Sequence, residues 1–196
     1  MTIPLNEAIL ERFRRGFDQA VAAAVPEPTA MTLATVDERG HPCARTVLLK
    51  GHDRDGFVFY TNLGSRKGRQ LKINPRASLV LWWREIAHQV LIDGPVTQVS
   101  DGEADEYFAT RPRLSQIGAW ASIQSSELDS RDTLEARVAR YEQEFADRPV
   151  SRPPHWSGFR VRPERVEFWY GHEFRLHERV CYEPVDGRWQ ERLLYP

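Results

Sequence analysis

The stretch from Arg45 to Gln70 limits the possible folds of this chain more than any other. Arg45-Thr46-Val47-Leu48-Leu49-Lys50 and Phe57-Val58-Phe59-Tyr60-Thr61-Asn62 are rich in β-branched and aromatic side chains. The segment between them, 52–56, ends on a glycine, which predicts two strands joined by a hairpin loop. Asn62-Leu63-Gly64 stops the second strand, Ser65 is placed to cap a helix, and Asn74-Pro75 ends that helix after Ile73.

The charge at that helix start is unusual. A helix N-terminus carries partial positive charge and unpaired N–H groups, so it favours acidic residues in its first turn. Here the first turn is Arg66-Lys67, with Arg69 close behind. Two readings fit: a solvated basic helix that tolerates roughly 0.3–1 kcal/mol of repulsion, or a site where an anion such as phosphate docks among the cations.

The 27 basic and 28 acidic residues leave a net charge of −1, so no global field attracts nucleic acid or an anionic membrane, and any anion site must be local. At 196 residues the chain is expected to form a single domain over 1–196. Cys43 and Cys181 are far apart and form no Cys-x-x-Cys pattern, which argues against a disulfide scaffold or zinc site. No apolar run is long enough to span a membrane. Charged residues interrupt the N-terminal apolar positions, and no small-residue cleavage site follows. A cytoplasmic protein is expected.

In chain order, Leu10, Phe13, Phe17 and Ala20 repeat at helical spacing within an N-terminal helix over 5–24. Strands are expected at 31–36, 44–50, 57–62, 77–83 and 88–99. In a regular strand, Arg45 and Lys50 point to opposite faces. Ser100-Asp101-Gly102-Glu103 is a capping box for a helix that Pro112 stops. Tyr107 and Arg111 share a face of that helix, and Ser115 lies just past the break. Those three form either a second oxyanion cradle or a surface tyrosine stacked on arginine.

Residues 116–126 read as a polar, glycine-containing connection, and 132–146 as a helix with Leu134, Val138, Tyr141 and Phe145 on one face. A linker at 151–155 precedes C-terminal strands from 159 to 196. In a strand over 174–182, Phe174, Leu176 and Val180 alternate with Arg175, His177 and Arg179. That cationic face meets either water or an anion. His172 and His177 are five apart in a hairpin, which excludes a helical zinc pair, so no metal is expected. No Rossmann or P-loop glycine pattern and no Gly-x-Ser-x-Gly elbow is present. The residues alone therefore describe a mainly β protein with flanking helices (α+β), mostly antiparallel, with two candidate phosphate sites.

Five of these segments together resemble the pyridoxine (pyridoxamine) 5′-phosphate oxidase family. They are residues 45–50, Phe59-Tyr60-Thr61-Asn62 with Ser65-Arg66-Lys67, residues 107–120, Gln124-Ser125-Ser126, and Glu167-Phe168-Trp169 with Arg175-Leu176-His177-x-Arg179. The resemblance runs from about Pro28 to the C-terminus. It implies an FMN-binding split β-barrel, a homodimer with FMN at the interface, and oxidation of a phosphorylated B6 vitamer by O2 to give pyridoxal phosphate and H2O2.

Carried over by motif, Arg45, Thr46, Val47, Leu48, Leu49, Lys50, Tyr60, Thr61, Arg66 and Lys67 are implied flavin contacts. So are Gln89, Gln124, Ser125, Trp169 and Arg179, some of them from a second subunit. Lys50, Tyr107, Arg111 and Ser115 are implied for the substrate phosphate, and Arg175 and His177 for catalysis over the substrate ring. Many members also carry an upstream segment with Arg and Tyr that folds over the substrate. This chain starts downstream of it, so the lid is expected to be missing or supplied by residues 1–15. Two other readings are a flavin oxidase of the same fold acting on a phenazine precursor, and a non-catalytic binder of FMN or pyridoxal phosphate. Keeping Arg175 and His177 speaks against the binder.

Overall fold

The computed structural model describes residues 2–196. Helix α1 (Glu7–Ala22) is capped by Asn6, whose side chain accepts the Ile9 N–H at 3.0 Å. Its buried stripe is Ile9, Leu10, Phe13, Gly16 and Ala20. Four strands follow: β1 (Ala30–Val36), β2 (Pro42–Leu48), β3 (Gly51–Asp53) and β4 (Gly56–Asn62). Helix α2 (Arg66–Ile73) leads to β5 (Arg76–Trp83) and the long β6 (His88–Gln98). Helices α3 (Asp101–Thr110), α4 (Arg113–Ala121) and α5 (Arg131–Glu144) come next. The chain closes with β7 (Trp156–Val161), β8 (Arg165–Tyr170), β9 (Glu178–Val185) and β10 (Arg188–Leu194).

Every strand pair is antiparallel, and the main path runs β10-β9-β8-β6-β5-β1-β2. Strand β6 belongs to two arms of the sheet. Residues 88–93 pair with β8, and residues 96–98 pair with β7, which continues to β4 and β3. Gly94 marks the change of partner: a Cβ there would lie 2.0 Å from the Arg162 carbonyl oxygen, so only glycine allows the two arms to meet. The sheet curls back on itself just after β2, where the Lys50 N–H donates to the Val58 carbonyl at 2.8 Å. This is a split β-barrel with helices outside, as the resemblance implied.

The core lies between α1 and the barrel. Phe13 meets Phe57 edge-on at 5.0 Å, above fully buried Leu33, Leu79, Leu81 and Ile92. A second cluster of Phe108, Ile117, Phe145, Val150 and Trp156 fastens α3 and α4 and the chain beyond α5. Leu5, Ile9, Leu10 and Phe13 belong to the main core, while Glu7, Glu11, Arg14 and Arg15 are exposed.

Three local expectations need correction. Residues 113–121 form helix α4 rather than part of an irregular connection. Strand β2 ends at Leu48, so Lys50 sits in the break before β3, and strand alternation does not set its direction. The segment 173–175 is a helical turn with left-handed Phe174 (φ 55°) and Arg175 (φ 61°), and β9 begins only at Glu178. The strand alternation that placed Arg175 and His177 beside Arg179 therefore does not hold, and Phe174 and Leu176 are 87% and 70% exposed rather than facing the core. Helix α5 turns its apolar stripe inward as expected: Leu134, Val138 and Tyr141 are half-buried, and Phe145, its C-cap, is buried in the second cluster.

Candidate active site

Between β2, β4, α3 and α4 lies a cleft of about 490 Å³. Its floor is Thr46, Val47 and Leu48 of β2 with Tyr60, Thr61 and Asn62 of β4. Lys50 and Lys67 enter from the barrel side, and Tyr107, Arg111 and Ser115 from the helices. Helix α4 turns Ser115, Gly118 and Ala119 toward the cleft, with Ser122 just after it, an i, i+3, i+4, i+7 face of small residues. Three cations line this space, and no carboxylate does.

Local structure holds each of these groups. Ser65 caps α2 by accepting the Gly68 N–H at 3.2 Å, and no acidic residue occupies the first turn. Lys67 Nζ donates to Gln124 Oε1 at 2.8 Å and to Thr61 Oγ1 at 3.3 Å. Burial, reinforced by Arg45, pushes the Lys67 pKa down. Arg111 lies over the Trp156 ring, 4.8 Å from its centroid, and its buried Nη1 has no hydrogen-bond partner. Burial lowers its pKa too, partly offset by Tyr107. Tyr107 stacks on Tyr60 at 4.0 Å, and burial, then Glu103 and Tyr107, push the Tyr60 hydroxyl up to about 12.

Other implied flavin contacts lie outside the cleft. Arg45 reaches across β1, donating to Thr35 Oγ1 at 2.6 Å, the Leu33 carbonyl at 3.2 Å and Gln70 Oε1 at 2.9 Å. Its pKa is lowered by burial first and then by neighbouring Arg66. Arg66 Nη2 contacts Cys43 Sγ at 3.2 Å. The Leu49 side chain is in the core, 5% exposed. Ser125, left-handed at φ 71°, borders a neighbouring hollow.

The remaining residues form a separate row across the sheet. Gln89 pairs with Trp169, and Trp169 with Arg179, in register on β6, β8 and β9. His177 packs on Trp169 at 4.5 Å, and its Nδ1 accepts the His172 N–H at 3.1 Å. Nδ1 is therefore the acceptor, and Nε2 carries the proton of the neutral ring. Arg175 stands exposed in the turn beside it. This row shares no residue with the cleft. Asn62, Ser122, Gly118, Ala119 and Trp156 line the cleft but were not read from the sequence as site residues. The spacing Ser115, Gly118, Ala119, Ser122 was the available signal.

The sequence model described as pyridoxamine 5′-phosphate oxidase matches residues 17–145. The model described as the pyridoxine 5′-phosphate oxidase C-terminal dimerisation region matches 156–196. A pyridoxine/pyridoxamine 5′-phosphate oxidase of Zymomonas mobilis is 54% identical over 94% of this chain and 96% of its own. One from Acaryochloris marina is 52% identical over 98% of this chain and 88% of its own. Among solved structures, PhzG from Burkholderia lata, in complex with tetrahydrophenazine-1-carboxylic acid, superposes with a TM-score of 0.91 at 33% identity, covering 95% of this chain and 92% of its own. An FMN-binding protein related to pyridoxamine 5′-phosphate oxidase, from Nostoc punctiforme, shares the fold with a TM-score of 0.75 at 17% identity, covering 94% of this chain and 97% of its own.

Proposed function

The chain belongs to the pyridoxine/pyridoxamine 5′-phosphate oxidase family, and from that premise we propose how it works. It is an FMN-dependent oxidase that converts pyridoxine 5′-phosphate or pyridoxamine 5′-phosphate to pyridoxal 5′-phosphate, with O2 as acceptor and H2O2 as by-product. Bound FMN would supply the redox chemistry, a two-electron acceptor for the hydride of the substrate C4′ carbon that O2 reoxidises to give H2O2.

One observation carries the reading. Arg111 keeps a buried, unpartnered Nη1 in a cleft that holds two lysines and no carboxylate. A buried guanidinium without a partner is costly, and a phosphate oxygen removes that cost. Lys50, Arg111 and the hydroxyls of Tyr107 and Ser115 hold the substrate phosphate. Arg66 and Lys67, at the start of α2, hold the flavin phosphate with Arg45 beside them. Thr46, Val47, Leu48, Tyr60, Thr61 and Gln124 line the cofactor, while Leu49 and Ser125 contribute backbone.

The second row, Gln89, Trp169 and Arg179 with Arg175 and His177, completes the site of the other subunit in a homodimer. Support comes from the exposure of Phe174, Leu176, Leu193 and Tyr195, all within the stretch matched to a dimerisation region. Arg175 stabilises charge developing over the substrate ring. His177, with Nδ1 engaged by the His172 N–H, orients substrate through its Nε2–H. Leu5, Ile9, Leu10 and Phe13 pack into their own barrel, and none of residues 5–15 lines the cleft. Among the described residues no helix is long and apolar enough to cross a membrane.

A phenazine-type substrate is the alternative, because the PhzG fold superposes closely. Its 33% identity, against 54% for the vitamer oxidase of Zymomonas mobilis, and the cation-lined cleft favour the phosphorylated substrate. The test is anaerobic mixing of the FMN-loaded protein with each vitamer phosphate while flavin absorbance is followed. Rapid bleaching, reversed by air with pyridoxal phosphate appearing, is expected. A yellow protein that stays oxidised would refute the substrate, and a protein unable to take up FMN would refute the whole reading.

A further inference from the structure

We propose that Glu167 is a positioning residue for flavin binding, acting through Arg179. The proposal rests on the reading of Arg179 as a flavin contact. Glu167 lies mid-way along β8 and is 2% exposed. Strand alternation puts it on the same face as Trp169, next to the Gln89–Trp169–Arg179 row. A buried ion pair is often no better for stability than apolar packing of the same volume, so stability alone does not account for a carboxylate in such a place.

Its contacts show what it does hold. Glu167 Oε1 accepts from Arg179 Nε at 2.7 Å and Oε2 from Arg179 Nη2 at 3.1 Å, a side-on bidentate pair. Arg165 Nη2 donates to Oε2 from the other side. The Arg179 Nη1 donates to the Tyr195 carbonyl at 3.0 Å. A guanidinium has five N–H bonds, so these contacts leave one on each terminal nitrogen uncommitted. With its orientation fixed at three points, Arg179 cannot swing into solvent, and its free N–H groups stay at the edge of the Trp169 row.

Glu167 also balances charge. Arg165 reaches Asp93 at 3.5 Å and Glu183 at 3.6 Å, whereas Glu167 is the only acidic side chain paired with Arg179 among the described residues. Without it, Arg179 faces the uncompensated repulsion of Arg165 and loses the geometry in which it meets a ligand.

The experiment is titration of apo-protein with FMN, following the quenching of flavin fluorescence. The set comprises the parent, Glu167→Gln, Arg179→Ala and the double variant, with apo-protein melting measured alongside. Glu167→Gln is expected to raise the FMN Kd about 10- to 100-fold, and to add nothing in the Arg179→Ala background. Full additivity would overturn the proposal, as would an unchanged Kd for Glu167→Gln beside a weakened Arg179→Ala. If Arg179→Ala itself binds FMN like the parent, the failure lies in the flavin reading of Arg179. Should the glutamine variant not fold, Glu167→Asp keeps the charge but shortens its reach. An intermediate Kd for it supports positioning, and a parental Kd overturns it.

Discussion

The rings of Tyr60 and Tyr107 stack 4.0 Å apart and within 8° of parallel, joining the barrel strand β4 to helix α3. Trp156 lies parallel to both rings, 5.3 Å and 5° from Tyr60 and 6.2 Å and 3° from Tyr107. The stack fixes the angle of α3, and with it the Tyr107 hydroxyl and the Arg111 guanidinium one turn later. Removing the hydroxyl while keeping the ring separates these two tasks. Tyr107→Phe is expected to raise KM for the vitamer phosphate about 10-fold, the worth of one hydrogen bond to a charged group, and to leave FMN affinity unchanged. Steady-state kinetics beside a flavin titration check this. An unchanged KM would remove Tyr107 from the phosphate cradle.

Arg111 predicts a trade between binding and stability. Its Nη1 is buried and has no hydrogen-bond partner among the described residues, while its face rests on Trp156 and Phe108. Arg111→Met keeps much of the packing and discards the orphaned charge. The ligand-free protein should be as stable as the parent or more stable, by up to about 1 kcal/mol. KM for the phosphorylated substrate should rise by about 100-fold. Urea unfolding and kinetics measure the two halves, and a clear loss of stability with normal KM would mean Arg111 is structural.

Most of this architecture was legible where local chemistry and tertiary packing agree. Ser65 and Ser100 cap the helices their spacing announced, and Asp186-Gly187, both at positive φ, make the tight turn between β9 and β10. Helix α4 was hidden because Pro112 offers it no side-chain cap and Gly118 sits in its interior, facing the cleft. Its residues leave room for a ligand at the expense of helix propensity. The turn at 173–175 was hidden for a different reason. Phe174 and Arg175 adopt left-handed φ without being glycine, and exposed Phe174 and Leu176 mimic a core-facing alternation. The division of the implied flavin contacts between a cleft and a distant strand row is a tertiary property, since Lys67 and Trp169 meet different neighbours only once β6 has changed partners.

Gly16 predicts a stability effect opposite to helix propensity. Alanine is better than glycine inside a helix by about 1 kcal/mol. A Cβ at this position, however, would lie 2.4 Å from His88 Cε1 and 3.1 Å from Trp83 Cζ3. The His88 ring cannot retreat, because it is stacked on Tyr170 at 4.4 Å and faces Trp83 edge-on at 5.2 Å. Overpacking of this kind costs about 1–3 kcal/mol, so Gly16→Ala should lower the melting temperature by a few degrees. A higher melting temperature would mean that α1 moves freely on the barrel.

His88 itself sets an acid limit. It is 2% exposed, neither ring nitrogen has a partner among the described residues, and burial, aided by Arg12, pushes its pKa down from 6.5 to about 4. The imidazole is therefore neutral in the folded protein. Above pH 6.5 neither state takes the proton, and His88 makes stability independent of pH. Between 6.5 and about 4 the unfolded chain binds a proton that the folded one refuses. Stability then falls by up to about 1.4 kcal/mol per pH unit, and the slope ends once the folded ring also titrates. Glu167 acts in a lower window. Burial would raise its pKa, but the bonds from Arg179 and Arg165 outweigh burial and hold it below its ordinary 4.5, so its contribution is lost only below that pH. His88→Leu, of similar volume and unable to titrate, should shrink the loss of unfolding free energy between pH 7 and pH 5. Urea denaturation at the two pH values measures it, and an equal loss in parent and variant would assign the acid sensitivity to other groups.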